Sequence, residues 1–458
     1  PGAFNGVIAM TTKSPWAFPG LSASAKGGER GLFEGAVRYA QVLKNKNGEA
    51  KWAYKLNAFA LRADDWQATN YDPTVNSPTG ADNPGRFDAV NIYGDENTTS
   101  NNNETRDITA RINNPGLGIW LRRGYTESEL VDYGTENFKL GAAVHHRLTD
   151  SLEVILASNF STGTTVYQGD NRYRLKDVKF FQHRLELREE GTWFVRGYLT
   201  AEDAGDTYDI FTTGLRMQEA TGESTRNWNL RYRALYENWI DNTILTPDPD
   251  FIGWPDEAAA SGLFSTQEEY DAYVADYVNA HLADFQAYHA MVLDSLNRTS
   301  SGFVTPFFEP GSARFDSLLA DVTSRRFTEG GSKFYDRSKL AHVMGEYRFA
   351  GGSLPADLQL VVGGSHRWYL PETGGTILKD TGDVQVRNSE FGLYAGAERP
   401  FLERKLKATA TVRLDKNENF DAILSPAASL VYVPREDRVW RLSFSSAVRN
   451  PTLADQYL

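Results

Sequence analysis

The sequence predicts an all-β fold, a transmembrane antiparallel β-barrel that carries a helical extracellular insertion. Three observations predict it. Apolar and polar residues alternate with a period of two, connections alternate between tight and very long, and aromatic residues gather beside the tight ones. The alternation is clearest where Leu406, Ala408, Ala410, Val412 and Leu414 interleave with Lys407, Thr409, Thr411, Arg413 and Asp415. A strand places successive side chains on opposite faces, so the first set shares one face and the polar set the other. Ala410 is thereby expected to face lipid and Thr411 the lumen. Trp440, Leu442, Phe444, Ser446 and Val448 repeat the pattern against Arg441, Ser443, Ser445 and Ala447.

Taken in order, the predicted strands are 21–28, 33–43, 51–62, 138–148, 151–160, 178–188, 192–202, 339–349, 357–369, 388–398, 405–415, 424–433 and 438–448, about thirteen in all. One set of connections is short: 44–50, 149–150, 189–191, 350–356, 399–404 and 434–437. The intervening set includes 63–137, 161–177, 203–338 and 370–387, with a shorter member at 416–423. Only the tight connection 29–32 departs from the pattern. Short periplasmic turns facing long extracellular loops are the asymmetry of outer-membrane barrels. Trp52, Trp193, Phe349, Phe401, Tyr432 and Trp440 lie beside the short turns, as an interfacial girdle requires.

Residues 203–338 do not read as plain barrel. Ser265 and Glu268 form a capping box, and Tyr270, Tyr273, Val274, Tyr277, Val278, Leu282, Phe285 and Val292 keep helical spacing. One long amphipathic helix is expected there, with a second around Trp228, Leu235 and Trp239. Its apolar stripe is expected to bury against Trp239, Trp254 and Phe264, giving a compact extracellular cap.

Composition agrees with this reading. Of 458 residues, 41% are hydrophobic and 12% aromatic, with 22 Tyr and 10 Trp, and no long apolar run supplies a spanning helix. The absence of Cys excludes disulfides and thiol chemistry, and a net charge of −12 argues against general nucleic-acid binding. The chain opens at Pro1 and stops at Leu458 just after a predicted strand, so it is expected to be an internal piece of a longer protein.

No catalytic, cofactor or metal site is expected. His145, His146, His183, His281, His289, His342 and His366 are scattered, and none stands in the register of a zinc-protease helix. His145 and His146 point to opposite faces of one strand. The acidic stretches 248–250 and 268–271 lack a calcium-loop pattern. Residues 81–105, rich in Asn, Asp, Thr and Gly, read as a surface loop. The ligand-binding residues stay unassigned.

The chain begins Pro1-Gly2-Ala3-Phe4-Asn5-Gly6-Val7-Ile8-Ala9-Met10-Thr11-Thr12-Lys13. This resembles the end of the plug domain of TonB-dependent outer-membrane receptors. Leu21-Ser22-Ala23-Ser24-Ala25-Lys26-Gly27-Gly28-Glu29-Arg30 resembles the first barrel strand and turn of the Bacteroidota-type members. Further similarity lies at Gly163-Thr164-Thr165-Val166-Tyr167-Gln168-Gly169, at Ala204-Gly205-Asp206 and at Arg449-Asn450-Pro451-Thr452-Leu453.

The resemblance implies a plugged barrel of about twenty-two strands, with residues 1–18 the end of the plug and 19–458 a partial barrel. It implies a TonB box and most of the plug before Pro1, and further strands after Leu458. It also implies energy-coupled uptake of a siderophore, cobalamin, oligosaccharide or peptide across the Gram-negative outer membrane. The implied partners are the TonB complex, through the plug, together with outer-membrane lipid and the nutrient. Room is left for a surface lipoprotein, and no nucleic acid is implied. The rival reading is a passive porin or surface adhesin built on the same barrel, which would need no plug.

Overall fold

A computed structural model describes residues 11–96, 101–103, 114, 116–169, 171–239, 262–299, 304–349, 354 and 357–457. The plug-like residues Pro1 to Met10 and the aromatic Trp254 lie outside them. The chain forms β1 (Gly20–Gly27), β2 (Phe33–Lys44) and β3 (Ala50–Asp64), then the short strands β4 (Ile92–Tyr93) and β5 (Tyr125–Thr126), which pair with each other. There follow β6 (Gly134–Arg147), β7 (Leu152–Gln168), β8 (Arg172–Glu189) and β9 (Trp193–Asp203), and the two-residue β10 (Tyr208–Asp209). The sheet resumes with β11 (Lys339–Phe349), β12 (Gln359–Leu370), β13 (Asn388–Phe401), β14 (Leu406–Asn417), β15 (Ile423–Arg435) and β16 (Arg438–Ser445).

Thirteen strands follow one another as antiparallel neighbours in a single sheet, in the order β1-β2-β3-β6-β7-β8-β9-β11-β12-β13-β14-β15-β16, and β10 joins as a fourteenth on β8. Among the described residues β1 pairs only with β2, and β16 only with β15. Sequential hairpin pairing is the connectivity of an up-and-down barrel wall.

Register decides the faces. One cross-strand row reads Lys55–Ala143–Ala157–Arg184–Tyr198–His342–Arg367–Glu390–Asn417. Another, on the opposite face, reads Trp52–His146–Val154–Leu187–Val195–Gly345–Gly364–Leu393–Leu414–Leu424. The second face leaves Leu56, Leu156, Leu185, Val195, Leu393, Leu424 and Leu442 exposed by half or more. A contiguous apolar belt of this extent is untenable in water and natural in lipid. Ala410 stands in register with Ala397 and Ala428, and Thr411 with Gly396 and Ala427. Thr411 therefore shares the face of Arg413 and Asp415, as the alternation requires. All six girdle aromatics belong to the apolar face, and at one end Phe401, Leu406, Tyr432 and Trp440 form a continuous row.

Two features depart from the sequence reading. The connection 161–177 is no loop: β7 and β8 run 17 and 18 residues and meet in a tight turn closed by the Gly169 amide on the Asn171 carbonyl. A tilted spanning strand needs only about 9–11 residues, so this hairpin projects beyond the bilayer. The register shifts between Gly163 and Thr165. There the Asp65 carboxylate accepts bonds from the Thr165 hydroxyl at 2.6 Å and the Val166 amide at 2.9 Å. The turn 29–32, which seemed to break the alternation, lies at the long-loop end, where the Asp64 amide donates to the Arg30 carbonyl at 2.8 Å.

Seven α-helices are described: α1 (Glu127–Leu130), α2 (Ile210–Glu219), α3 (Thr225–Trp239), α4 (Gln267–Ala280), α5 (Leu282–Arg298), α6 (Ala313–Ser324) and α7 (Leu453–Tyr457). The expected single helix is thus two. It breaks at His281, whose ring stacks on Tyr277 and bonds the Tyr277 carbonyl at 3.0 Å. The cap of α4 is Thr266 with Glu269, one residue beyond the expected Ser265 and Glu268. No described helix is long and apolar enough to cross a membrane.

Candidate functional site

Residues 11–18 lie against the polar face of the sheet, and the contacts are specific. The Lys55 ammonium, 6% exposed, donates to the Thr12 hydroxyl at 2.7 Å and the Lys13 carbonyl at 3.0 Å. The Trp16 indole N–H donates to Glu153 Oε1 at 2.6 Å, and the Arg147 guanidinium sits 4.1 Å from the Trp16 ring centroid. Arg38 donates to the Phe18 carbonyl at 2.9 Å. Glu153 also engages His145 at 2.8 Å and Arg188 at 2.7 Å. Next to it, Glu186 binds Arg196 at 2.8 Å. These charge-assisted bonds seat a chain segment in a polar trough through groups that water could equally satisfy. Beside this segment the polar face is hollow, a concavity of about 720 Å³ whose lining includes Arg38, Asn57, Lys139, Asn159, Gln182 and Thr200.

The histidines do not gather. His145 meets Glu153, while His146, on the apolar face, stacks on Trp52 with ring centroids 3.9 Å apart. His183 bonds Ser158, His342 bonds Tyr198, and His366 stacks on Trp368.

At the long-loop end the insertion 203–338 and the loop 63–137 share two apolar cores. In the first, Tyr93, Tyr125, Leu130, Val131 and Tyr133 from the earlier loop pack with Ile210, Met217, Phe307, Phe315 and Val322, and with Val166 of the projecting hairpin. In the second, Leu117 and Trp120 pack with Trp228, Tyr232, Tyr236, Phe285, Val292, Leu293 and Leu296. The stripe of α4 and α5 is therefore buried jointly, by α3 of the same insertion and by Leu117 and Trp120 of the earlier loop. Trp239 packs at the margin, and the Phe264 ring meets Tyr270 and Tyr273. Gly116, at φ 73°, is required here, because a Cβ would fall 2.3 Å from the Phe285 ring.

Two buried polar groups lock the cap. Glu127, fully buried, accepts from Arg172 at 2.6 and 2.9 Å, from the Tyr93 hydroxyl at 2.9 Å and from Tyr133 at 2.8 Å. Burial alone would raise its pKa, yet the bonds from Arg172 and the two tyrosines outweigh it and hold the carboxyl below its ordinary value. His289 accepts the Tyr232 hydroxyl at 2.8 Å on Nδ1 and donates from Nε2 to the Gly116 carbonyl at 3.1 Å. That network assigns the neutral tautomer, and burial lowers its pKa to about 4. These groups were invisible as partners in the sequence, since 45 positions separate Glu127 from Arg172 and 57 separate Tyr232 from His289.

A family model for the TonB dependent receptor-like β-barrel matches residues 219–458. No curated protein matches. Similar solved structures include the ferric enterobactin receptor PfeA of Pseudomonas aeruginosa, at 10% identity and a TM-score of 0.45 over 94% of this chain and 44% of that one. They also include the siderophore receptor PirA of Acinetobacter baumannii, at 8% identity and 0.44 over 95% and 44%. The FrpB iron transporter of Neisseria meningitidis gives 8% identity and 0.43 over 94% and 46%. The chain spans less than half the length of these proteins.

Proposed function

The chain belongs to the TonB-dependent receptor-like β-barrel family of the Gram-negative outer membrane, and from that premise we propose that it forms part of an energy-coupled receptor for a scarce nutrient. The observation that carries this reading is the seating of residues 11–18 on the polar face by Lys55, Glu153 and Arg38. A passive pore needs no plug. A plug must be held by bonds that hydrate readily when it is pulled, and polar contacts of this type meet both needs.

In this reading residues 1–18 end the plug, and the TonB complex engages plug sequence ahead of them. The cap over the long-loop end faces outward and captures a siderophore, cobalamin, oligosaccharide or peptide, alone or with a surface lipoprotein. The chain's role is to bind and release, with no covalent chemistry and no cofactor. The test is conductance of the complete receptor in planar bilayers, together with uptake in cells with and without TonB. A closed channel that supports TonB-dependent uptake is the expected result. A steadily open channel indifferent to TonB would overturn the reading in favour of a porin. Trp16→Ala with Lys55→Met should raise the frequency of channel opening in mild denaturant.

A further inference from the structure

On either side of β4, Asp88 before it and Asp95 and Glu96 after it each bring one carboxylate oxygen within 4.8 Å of the other two. Asp95 is 0% exposed. Its Oδ2 accepts only a long 3.4 Å bond from the Ala89 amide, and its Oδ1 is buried with no hydrogen-bond partner. Asp88 Oδ2 accepts from the Thr74 hydroxyl at 2.8 Å, and Glu96 Oε2 from the Gly94 amide at 2.9 Å. Arg86 acts on Asp95 through space, yet no ion pair joins them among the described residues. A buried carboxylate with one oxygen lacking any hydrogen-bond partner, beside two further carboxylates, is costly as it stands.

We propose that Asp88, Asp95 and Glu96 form a calcium site that fastens the 63–137 loop to α2. The donors are all oxygen, which selects a hard cation over zinc or copper. Calcium takes six to eight oxygens at about 2.3–2.6 Å in a flexible geometry, so carboxylate oxygens within 4.8 Å of one another can share one ion, whereas magnesium demands near-ideal octahedral geometry and usually keeps several waters. The ion would neutralise the orphaned Oδ1 of Asp95. It would also hold a backbone that packs on α2 without room to spare. A Cβ on Gly94 would meet the Gly214 carbonyl oxygen at 2.7 Å, and one on Gly214 would meet Tyr93 Cβ at 2.6 Å. The site would thus order the cap, whatever nutrient the receptor takes.

The complete receptor in detergent, stripped with chelator, should be titrated calorimetrically with calcium chloride alone. One saturable site is expected, with Kd on the order of 10⁻⁴–10⁻³ M as in extracellular calcium modules. Asp95→Asn and Asp88→Asn should each weaken it about tenfold or more, since affinity follows ligand charge. Asp294→Asn, on the exposed Arg298 pair, should leave it unchanged. Asp88 is only partly buried, so Asp88→Asn keeps the test alive should Asp95→Asn disturb the cap. No saturable heat up to about 10 mM calcium, equal affinity for magnesium, or wild-type binding by both variants would overturn the site.

Discussion

His289 shows how a single ionisable group ties the cap to pH. It is 2% exposed, and its pKa is lowered by burial from 6.5 to about 4. The unfolded chain therefore takes up a proton before the folded one does as pH falls. The stabilisation is complete above pH 6.5 and is lost progressively as pH drops toward 4, amounting to about 3 kcal/mol. Intrinsic fluorescence of the buried Trp120 and Trp228 beside it should report a cap that melts markedly earlier at pH 4.5 than at pH 7.5. His289→Leu should flatten that dependence, and an unaltered pH profile would refute the assignment. Glu127 adds a second, more acidic phase. Its pKa is lowered, so its contribution is present above the ordinary carboxylate range and disappears as pH falls through it. Glu127→Gln, which leaves Arg172 without its countercharge, should cost the cap about 3–5 kcal/mol, read as an earlier proteolytic opening. At this scale the sequence was ambiguous for a definite reason. Ser265-Thr266-Gln267-Glu268-Glu269 contains two overlapping capping boxes, and only the fold selects Thr266 with Glu269.

At the scale of elements, the strands were legible because a membrane wall imposes different solvents on its two faces. Alternation is strongest where that contrast is strongest, and 339–349 coincides with β11. Where the contrast vanishes the signal vanishes too. Beyond the bilayer neither face of the β7–β8 hairpin meets lipid, one of them packing Val166 into the cap, and its Ser161-Thr162-Gly163-Thr164-Thr165 stretch looks like a loop. The break at His281 was hidden because the apolar period continues through it, from Tyr277 and Val278 to Leu282 and Phe285. The face assignment is testable on one strand. Ala410→Arg puts a guanidinium on the lipid face and should destabilise by about 2–4 kcal/mol near the midplane, whereas Thr411→Arg, on the polar face, should cost far less. Refolding titrations into lipid vesicles measure both, and equal costs would invert the register.

At the scale of the whole molecule, the cap is a joint structure rather than one insertion folded on itself. Loop length revealed that 203–338 and 63–137 belong to the same end, but no periodicity announces that Leu117 and Trp120 complete the core of α3 and α5. Deleting residues 262–301 would remove α4 and α5 and strip cover from Trp120, Tyr232 and Tyr236. In the complete receptor this should loosen both loops and impair ligand capture. The barrel should still assemble, because its ladder runs from β9 to β11 without the insertion. The side on which this cap lies follows from the girdle and the turns. The short turns flank the row Phe401, Leu406, Tyr432 and Trp440, and short turns face the periplasm in such barrels. The opposite end, with the projecting β7–β8 hairpin and both apolar cores, is then expected to be exterior. Protease added to intact cells should cut within 204–338 while the sheet stays protected. Cleavage that appears only after the outer membrane is opened would place the cap in the periplasm. That outcome would invert the topology argued from the girdle and the turns.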